Sequence, residues 1–411
     1  MAARKRIAFY CQHATGVGHY VRALGIAERL AGSHDVTLIS GGRPFPGSEP
    51  SSAVTLVQLP PLQRSGAGLA PAGPGASYDG VLVERSAILR ATIARVRPDV
   101  LFVEHFPFSR WSLRGEITET IEAARRSRPG GRVLCSLRDI ARKSAFDTWG
   151  SRGGEAGPPA AWLGAQQEGA DPAAEALDRR YGDEVVPALN GLFDALLVHG
   201  DPRLTRLEDQ IGWTDRITIP IVYTGYVTRP RDPRRVRGPA GDFVLVSAGG
   251  GAEGAEVAGP CLEAWAHLGR EGGTRGHRME LYTGVYADEL AVAGLIERAA
   301  ALGARVRRFS TAFSSWLRAC ALSVSRAGYN TCVEILAARA RAILVPSARM
   351  ADQWLRAQRL RDLGLAELIS PLDATPERIA HAIAAGLSAP RPQHDLALDG
   401  AEQTLAYVNG L

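Results

Sequence analysis

CALSVSRAGYNTCVEILAARARAILVPS, residues 320–347, reads as a strand, a turn, a helix and a second strand. CALSVSR and RAILVPS are short, apolar and partly β-branched, whereas VEILAARA between them carries helical spacing. Two strands joined through a helix return to one sheet in the same direction, so the stretch predicts a parallel, doubly wound α/β arrangement. The turn from Arg326 to Thr331 admits two readings. Thr331 and Glu334 have the spacing of a capping box, which would close the helix end on itself. A turn rich in donors beside an arginine also suits a phosphate held at a helix N-terminus. The two are compatible, and the rest of the chain decides between them.

The same alternation extends outward. Upstream in the second half lie DFVLVSAGGG, MELYTGV and ARVRRFS, each followed by helical periodicity. The first half repeats the plan with RIAFYCQ, DVTLISG, VTLVQL, DVLFVEHF, RVLCSLRD and DALLVHG, separated by helix candidates such as VRALGIAERLAG and SAILRATIARVRP. Two tandem sets predict two Rossmann-like domains with a cleft between them. Their expected limits are residues 1–225 and 241–395, with a linker over 226–240, where IVYTGYVTRPRDPRRVRGPAGD replaces periodic apolar residues by Pro and Arg, and a terminal helix over 396–411. PLQRSGAGLAPAGPGASYDG (61–80) and SRGGEAGPPAAWLGAQQEGADPAAEA (151–176) are expected to be loops or inserts.

Composition narrows the chemistry. The 411 residues are 45% hydrophobic and 22% charged, with no apolar run near the length of a membrane span. The start MAARKRIAFYCQ lacks a cleavage site for secretion, and five scattered cysteines suit neither a disulfide framework nor a zinc site, so a cytoplasmic location is expected. Net charge is +5, almost all of it from arginine, since lysine occurs only at Lys5 and Lys143. Neither lysine sits in a Walker A loop or in a setting suited to a Schiff base. No aromatic-interleaved basic strand occurs, so no nucleic-acid partner is expected.

Polar residues at strand ends supply the candidates. CQHATGVGHYVRAL (11–24) follows a strand and opens a helix, but Val21 replaces the third glycine of a dinucleotide fingerprint, and LISGG (38–42) has no ribose-binding acid. A nicotinamide dehydrogenase is therefore disfavoured. His19 stands at the loop-to-helix junction, where ligands bind in such sheets, with a structural role equally open. In DVLFVEHFPFSRW (99–111), Glu104 and His105 form either a base with its orienter or a polar pair closing a buried strand. VLVSAGGGAEGAE (244–256) carries three consecutive glycines, and diphosphate contact at Gly249 and Gly250 explains their entropic cost.

RAGYNTCVE (326–334), followed by AILVP (342–346) and ADQ (351–353), resembles the donor-binding signature of GT-B glycosyltransferases that use nucleotide sugars. Plant and bacterial small-molecule glycosyltransferases have a His-Cys-Gly-Trp-Asn-Ser-x-x-Glu stretch there. The lipid-linked N-acetylglucosaminyltransferase of peptidoglycan synthesis and a group of uncharacterised bacterial predicted glycosyltransferases have a Ser-Arg-x-Gly variant. GVGHYVRALGIAERL (16–30) is similar to the N-terminal loop and helix of these enzymes, and HFPFSR (105–110) and CSLRDI (135–140) bring the chain nearest the uncharacterised group.

The resemblance implies a GT-B fold and transfer of a hexosyl or N-acetylhexosaminyl group, with inversion and without a metal or other cofactor. The co-substrate it favours is a UDP-sugar. The acceptor would be a hydroxyl or amine on a small or lipid-linked molecule, the latter leaving room for peripheral membrane contact. By position, Gly328, Asn330 and Thr331 would line the diphosphate, with Arg326 facing phosphate. Glu334 would accept from the ribose, Asp352 and Gln353 would hold sugar hydroxyls, and His19 would be the base with Glu104 and His105 as rivals. The family's base-stacking Trp-x-Pro-Gln element has no counterpart around RRFSTAFSSWL (307–317), the proline after its Gly-His pair is absent from HYVRAL, and no Asp-x-Asp pair occurs. Two alternatives remain: a nucleotide-sugar 2-epimerase of the same fold, and a non-enzymatic sugar-nucleotide binding protein.

Overall fold

Strands buried on both faces need side chains that pack on both faces, and the apolar runs supply them. The computed structural model describes residues 3–14, 16–65, 68–73, 75–141, 172–229, 242–249, 255–348 and 350–411. It divides into two units, one of Met1–Pro230 with Leu396–Leu411 and one of Arg231–Asp395.

The first unit contains, in chain order, β1 (Arg6–Cys11), α1 (Gly18–Ala31), β2 (Asp35–Ser40), β3 (Val54–Gln58), β4 (Leu62–Ser65), β5 (Gly68–Pro71), α2 (Tyr78–Val96), β6 (Val100–Glu104), α3 (Arg114–Ser127), β7 (Arg132–Arg138), α4 (Pro172–Leu192), β8 (Ala195–His199) and β9 (Ile221–Tyr223). Seven of these strands form one sheet in the order β3-β2-β1-β6-β7-β8-β9, every neighbouring pair parallel. The strand order reverses between β1 and β6. Across that seam Tyr10 pairs with Val103, and Phe9 stacks on Phe102 at 5.0 Å, both rings fully buried.

A buried ionic cluster fixes the loops at this edge. Arg85 on α2 is fully buried and grips Glu116 of α3 through two nitrogens, each at 2.8 Å. It also donates to Gln12 Oε1 at 2.9 Å, to the Pro60 carbonyl at 2.9 Å and to the Gly41 carbonyl at 3.2 Å. The Tyr10 hydroxyl donates to Glu116 Oε1 at 2.6 Å. The segments that follow β1 and β2 are thus tied to one guanidinium.

The second unit contains β10 (Phe243–Ser247), α5 (Ala255–Arg270), β11 (Arg278–Tyr282), α6 (Glu289–Ala300), β12 (Arg305–Arg307), α7 (Phe313–Ala319), β13 (Leu322–Ser325), α8 (Tyr329–Ala338), β14 (Ala342–Leu344), α9 (Ala351–Asp362), β15 (Glu367–Leu368) and α10 (Pro376–Gly386). Its parallel sheet runs β12-β11-β10-β13-β14-β15, again reversing beside its first strand, between β10 and β13. This is the strand order of a dinucleotide-type Rossmann sheet.

Two expectations change, and the expected terminal helix gains a place in the fold. Residues 61–80 are not all loop, because Leu62–Ser65 and Gly68–Pro71 pair as an antiparallel hairpin. The stretch expected to begin a linker at residue 226 is packed, with Tyr226 buried and Val227 bridged to Asp399. The terminal helix, α11 (Gly400–Gly410), belongs to the first unit and lies on α1, where Arg29 meets Glu402 at 2.5 Å. A Cβ at Gly400 would lie 2.2 Å from the Gly225 carbonyl oxygen, so only glycine permits this approach. Most of the insert expected over 151–176 lies outside the described residues. Among the described residues no helix is long and apolar enough to cross a membrane.

Candidate active site

In open α/β sheets, ligands bind beyond the carboxyl ends of the strands where the strand order reverses. In the first unit that place is occupied by the end of β6 and the start of α1. Glu104 is the last residue of β6 and is 1% exposed. His19, in the first turn of α1, presents Nδ1 to Glu104 Oε1 at 2.8 Å. Arg22, one turn further along α1 and 1% exposed, donates to the same oxygen. Burial pushes the Glu104 carboxyl above the usual carboxylate range, while Arg22, the Ser136 hydroxyl, Arg110 and Arg138 pull the other way. His19 retains 12% side-chain exposure against 0% for Glu104.

The pairing corrects one expectation, that Glu104 and His105 act together as base and orienter. Glu104 is bonded instead to His19, 85 residues away in sequence. His105 is fully buried, takes a left-handed backbone with φ 66°, and sets its ring 4.9 Å from that of His19. Such a backbone is uncommon outside glycine, and residues that hold it cluster at functional sites.

Behind Glu104 the polar contacts continue inward. Ser136 on β7, opposite Glu104 in the strand register, donates from Oγ to Glu104 Oε2 at 2.7 Å. Ser136 Oγ also meets Nε2 of His199 at 3.0 Å, and Nδ1 of His199 meets the Thr224 hydroxyl at 2.8 Å.

The second unit places its candidates around the reversal between β10 and β13. Gly249, two residues past β10, has φ 82°, which its lack of a Cβ permits. Gly250 lies outside the described residues. Arg326, just past β13, is 6% exposed and clamps its surroundings: Nη1 donates to the Pro346 carbonyl at 2.9 Å and the Val345 carbonyl at 3.3 Å, and Nη2 to Glu256 Oε2 at 2.7 Å. Its backbone amide bonds the Ser247 carbonyl at 3.1 Å, so one arginine holds the segments that follow β10, β13 and β14.

The capping-box reading of Thr331 and Glu334 is overturned. The helix starts at Tyr329 with Gly328 as its N-cap, and no side chain caps that end. Thr331 is the third helical residue and Glu334 the sixth, the latter buried on the helix. A Cβ at Gly328 would meet nothing within 4 Å among the described atoms, while Asn330 and Thr331 are half-buried beside it. An N-terminus of this kind concentrates partial positive charge where an anion can approach the backbone.

Asp352 and Gln353 lie in the first turn of α9, each engaged by the protein. Asp352 is 2% exposed and accepts from Arg356 at 3.4 Å. Gln353 Oε1 accepts from the Ser347 amide at 3.0 Å. Arg356, 1% exposed, also donates to the Ala327 carbonyl at 2.7 Å and lies 5.8 Å from the centre of the Tyr329 ring. It therefore joins the turn after β13 to the helix that carries Asp352.

Residues 295–399 match the glycosyltransferase family 28 C-terminal domain. Among solved structures, the UDP complex of TcCGT1 aligns at a TM-score of 0.60 and 14% identity, over 99% of both chains. The calicheamicin glycosyltransferase CalG4 aligns at 0.54 and 20% identity, over 99% of this chain and 96% of that one. MurG of Acinetobacter baumannii aligns at 0.53 and 13% identity, over 99% of this chain and 100% of that one. The chain has the GT-B fold and a glycosyltransferase C-terminal domain. No curated protein matches its sequence. Glycosyl transfer is the reaction class this domain carries, and it is favoured over epimerisation. Within the glycosyltransferase domain, the matched segment includes β13, the Gly328-capped helix and α9.

Sequence reasoning missed Arg22, Ser136 and His199 in the first unit and Glu256 and Arg356 in the second. The first three carried a usable signal. Arg22 follows His19 by three positions, one helical turn, and Ser136 and His199 are polar residues in apolar strands at the edge where Glu104 ends β6.

Proposed function

We propose that the protein is an inverting, nucleotide-sugar-dependent glycosyltransferase in which His19 is the general base and Glu104 its orienting carboxylate. The 2.8 Å contact between His19 Nδ1 and Glu104 Oε1 carries this reading, because a carboxylate on one ring nitrogen makes the other the proton acceptor. Glu104 and His105 are themselves fully buried, which leaves His19 as the member of the cluster that meets an acceptor. In the reaction the acceptor oxygen or nitrogen bonds the anomeric carbon as its proton passes to Nε2 of His19. The bond from that carbon to the diphosphate oxygen breaks, and the diphosphate leaves with the electron pair. A single displacement of this kind inverts the anomeric centre.

The leaving charge is met by the backbone amides at the Gly328 end of α8 and by the Gly249 turn, fixed dipoles that need no metal or further cofactor. Arg326 acts from behind, holding these segments together. Glu334 binds the ribose, and Asp352 with Gln353 the transferred sugar. The donor is a UDP-sugar, a choice supported by the UDP held by TcCGT1. The acceptor is a hydroxyl or amine on a small or lipid-linked molecule. Five free, buried cysteines support a reducing, cytoplasmic setting.

Titration of the intact protein with UDP, dTDP and GDP in a thermal-shift assay tests the donor half. A nucleotide at a hundredfold excess over its Kd stabilises by about 2.7 kcal/mol. No shift with any of the three overturns the reading.

Glu334→Gln separates the ribose role from a structural one. Since α8 is capped at Gly328, the change leaves the helix end intact, and the melting temperature is expected to stay where it was. UDP affinity should fall by about 1–3 kcal/mol, the worth of a charge-assisted hydrogen bond. Calorimetry that finds equal affinity removes Glu334 from the donor site.

A further inference from the structure

Four buried polar side chains stand in a row behind His19, one on each of four neighbouring strands or their ends. Glu104 ends β6, Ser136 lies on β7, His199 ends β8 and Thr224 follows β9. None is more than 2% exposed. Their contacts measure 2.7 Å from Ser136 to Glu104, 3.0 Å from His199 to Ser136 and 2.8 Å from Thr224 to His199.

Counting hydrogens gives the row a direction. Ser136 has one hydroxyl hydrogen, and it goes to Glu104. Its oxygen must then accept from His199, so the imidazole carries its hydrogen on Nε2. Nδ1 of His199 accepts in turn from the Thr224 hydroxyl, whose carbonyl contacts, at 3.3 and 3.5 Å, are longer. Burial, with Arg22 nearby, holds the His199 imidazole well below its usual range, so the ring stays neutral with a single N–H. Every donor in the row points towards Glu104.

We propose that Ser136 and His199 are positioning residues that hold Glu104 as an ionised acceptor, and so keep the proton of neutral His19 on Nδ1 with Nε2 as its basic nitrogen. The opposite state is easily specified. A protonated Glu104 would donate to Nδ1 of His19, the ring hydrogen would move to Nε2, and that nitrogen could accept nothing. Burial drives Glu104 towards that state, and Arg22 and the Ser136 hydroxyl oppose it. The row therefore sets the polarity of His19 from a distance, through Glu104. The proposal rests on His19 acting as the base, yet it concerns a property of the protein without substrate.

The test is the tautomer of His19, read from long-range proton–nitrogen spectra of intact protein labelled with 15N-histidine, near neutral pH. The His19 signals are assigned by their loss in His19→Gln. In the unaltered protein the hydrogen is expected on Nδ1, and a hydrogen on Nε2 overturns the proposal whether or not any variant folds. Ser136→Ala removes the donor to Glu104. Losing one charge-assisted bond is expected to shift the tautomer ratio of His19 at least about tenfold towards Nε2–H. His199→Gln keeps an N–H donor in the row and is expected to leave the ratio nearer that of the unaltered protein. A folded Ser136→Ala protein with an unchanged ratio, or equal shifts in both variants, overturns the proposal. If the ratio shifts as expected while His19→Ala retains turnover, the positioning stands and the base assignment alone falls.

Discussion

His19→Ala is expected to lower turnover by about 10²- to 10⁴-fold, the usual contribution of a positioned general base, while UDP affinity stays within experimental error. The two readouts separate because His19 sits at the β1–β6 reversal of the first unit, whereas the Gly328 helix end, Glu334 and α9 are parts of the second. The measurement is UDP release from UDP-glucose or UDP-N-acetylglucosamine with a panel of hydroxyl and amine acceptors, each variant beside the unaltered protein. Near-normal turnover would return His19 to a structural role. A loss of UDP affinity would mean that the first unit contributes to donor binding.

Arg85→Met should destabilise the protein by about 3–5 kcal/mol, because it leaves the Glu116 carboxylate buried without its cation. Arg85 is fully buried, and its guanidinium is bonded to Glu116, Gln12 and the carbonyls of Gly41 and Pro60. No water can take over those bonds at little cost in such a site. Denaturant unfolding of the intact protein, followed by near-ultraviolet circular dichroism, reads the loss. A change below about 1 kcal/mol would show that the side chain of methionine packs there as well as the ion pair does. UDP affinity is expected to survive, since none of these groups belongs to the second unit.

The architecture was legible because both sheets are parallel and their inner strands are buried on both faces. Such strands must be short unbroken apolar runs, and every run singled out in the sequence forms a strand. The hairpin of β4 and β5 was hidden because its strands are four residues each, the mostly polar Leu-Gln-Arg-Ser and the Gly- and Pro-containing Gly-Leu-Ala-Pro, and β9 and β15 have only three and two residues. The site was half legible. Polar residues at strand ends marked His19 and Glu104, but nothing in FVEHF says that Glu104 turns to a helix 85 positions earlier and not to its neighbour His105. That choice is made by the β1–β6 register and the placement of α1 beside it. The capping box failed for a local reason: Gly328, extended at φ −66° and ψ 148°, starts the helix at Tyr329 and leaves Thr331 and Glu334 inside it.

The return of residues 396–411 to the first unit makes that unit discontinuous and the second one continuous. Synthesis therefore delivers every residue of the second unit before the segment that covers α1 leaves the ribosome. The later half of the chain can complete its core first, while the earlier half waits with one flank of α1 uncovered. Arg29, Lys5 and His34, which meet Glu402, Val408 and Asn409 in the finished protein, are made before the second unit and find these partners only after it.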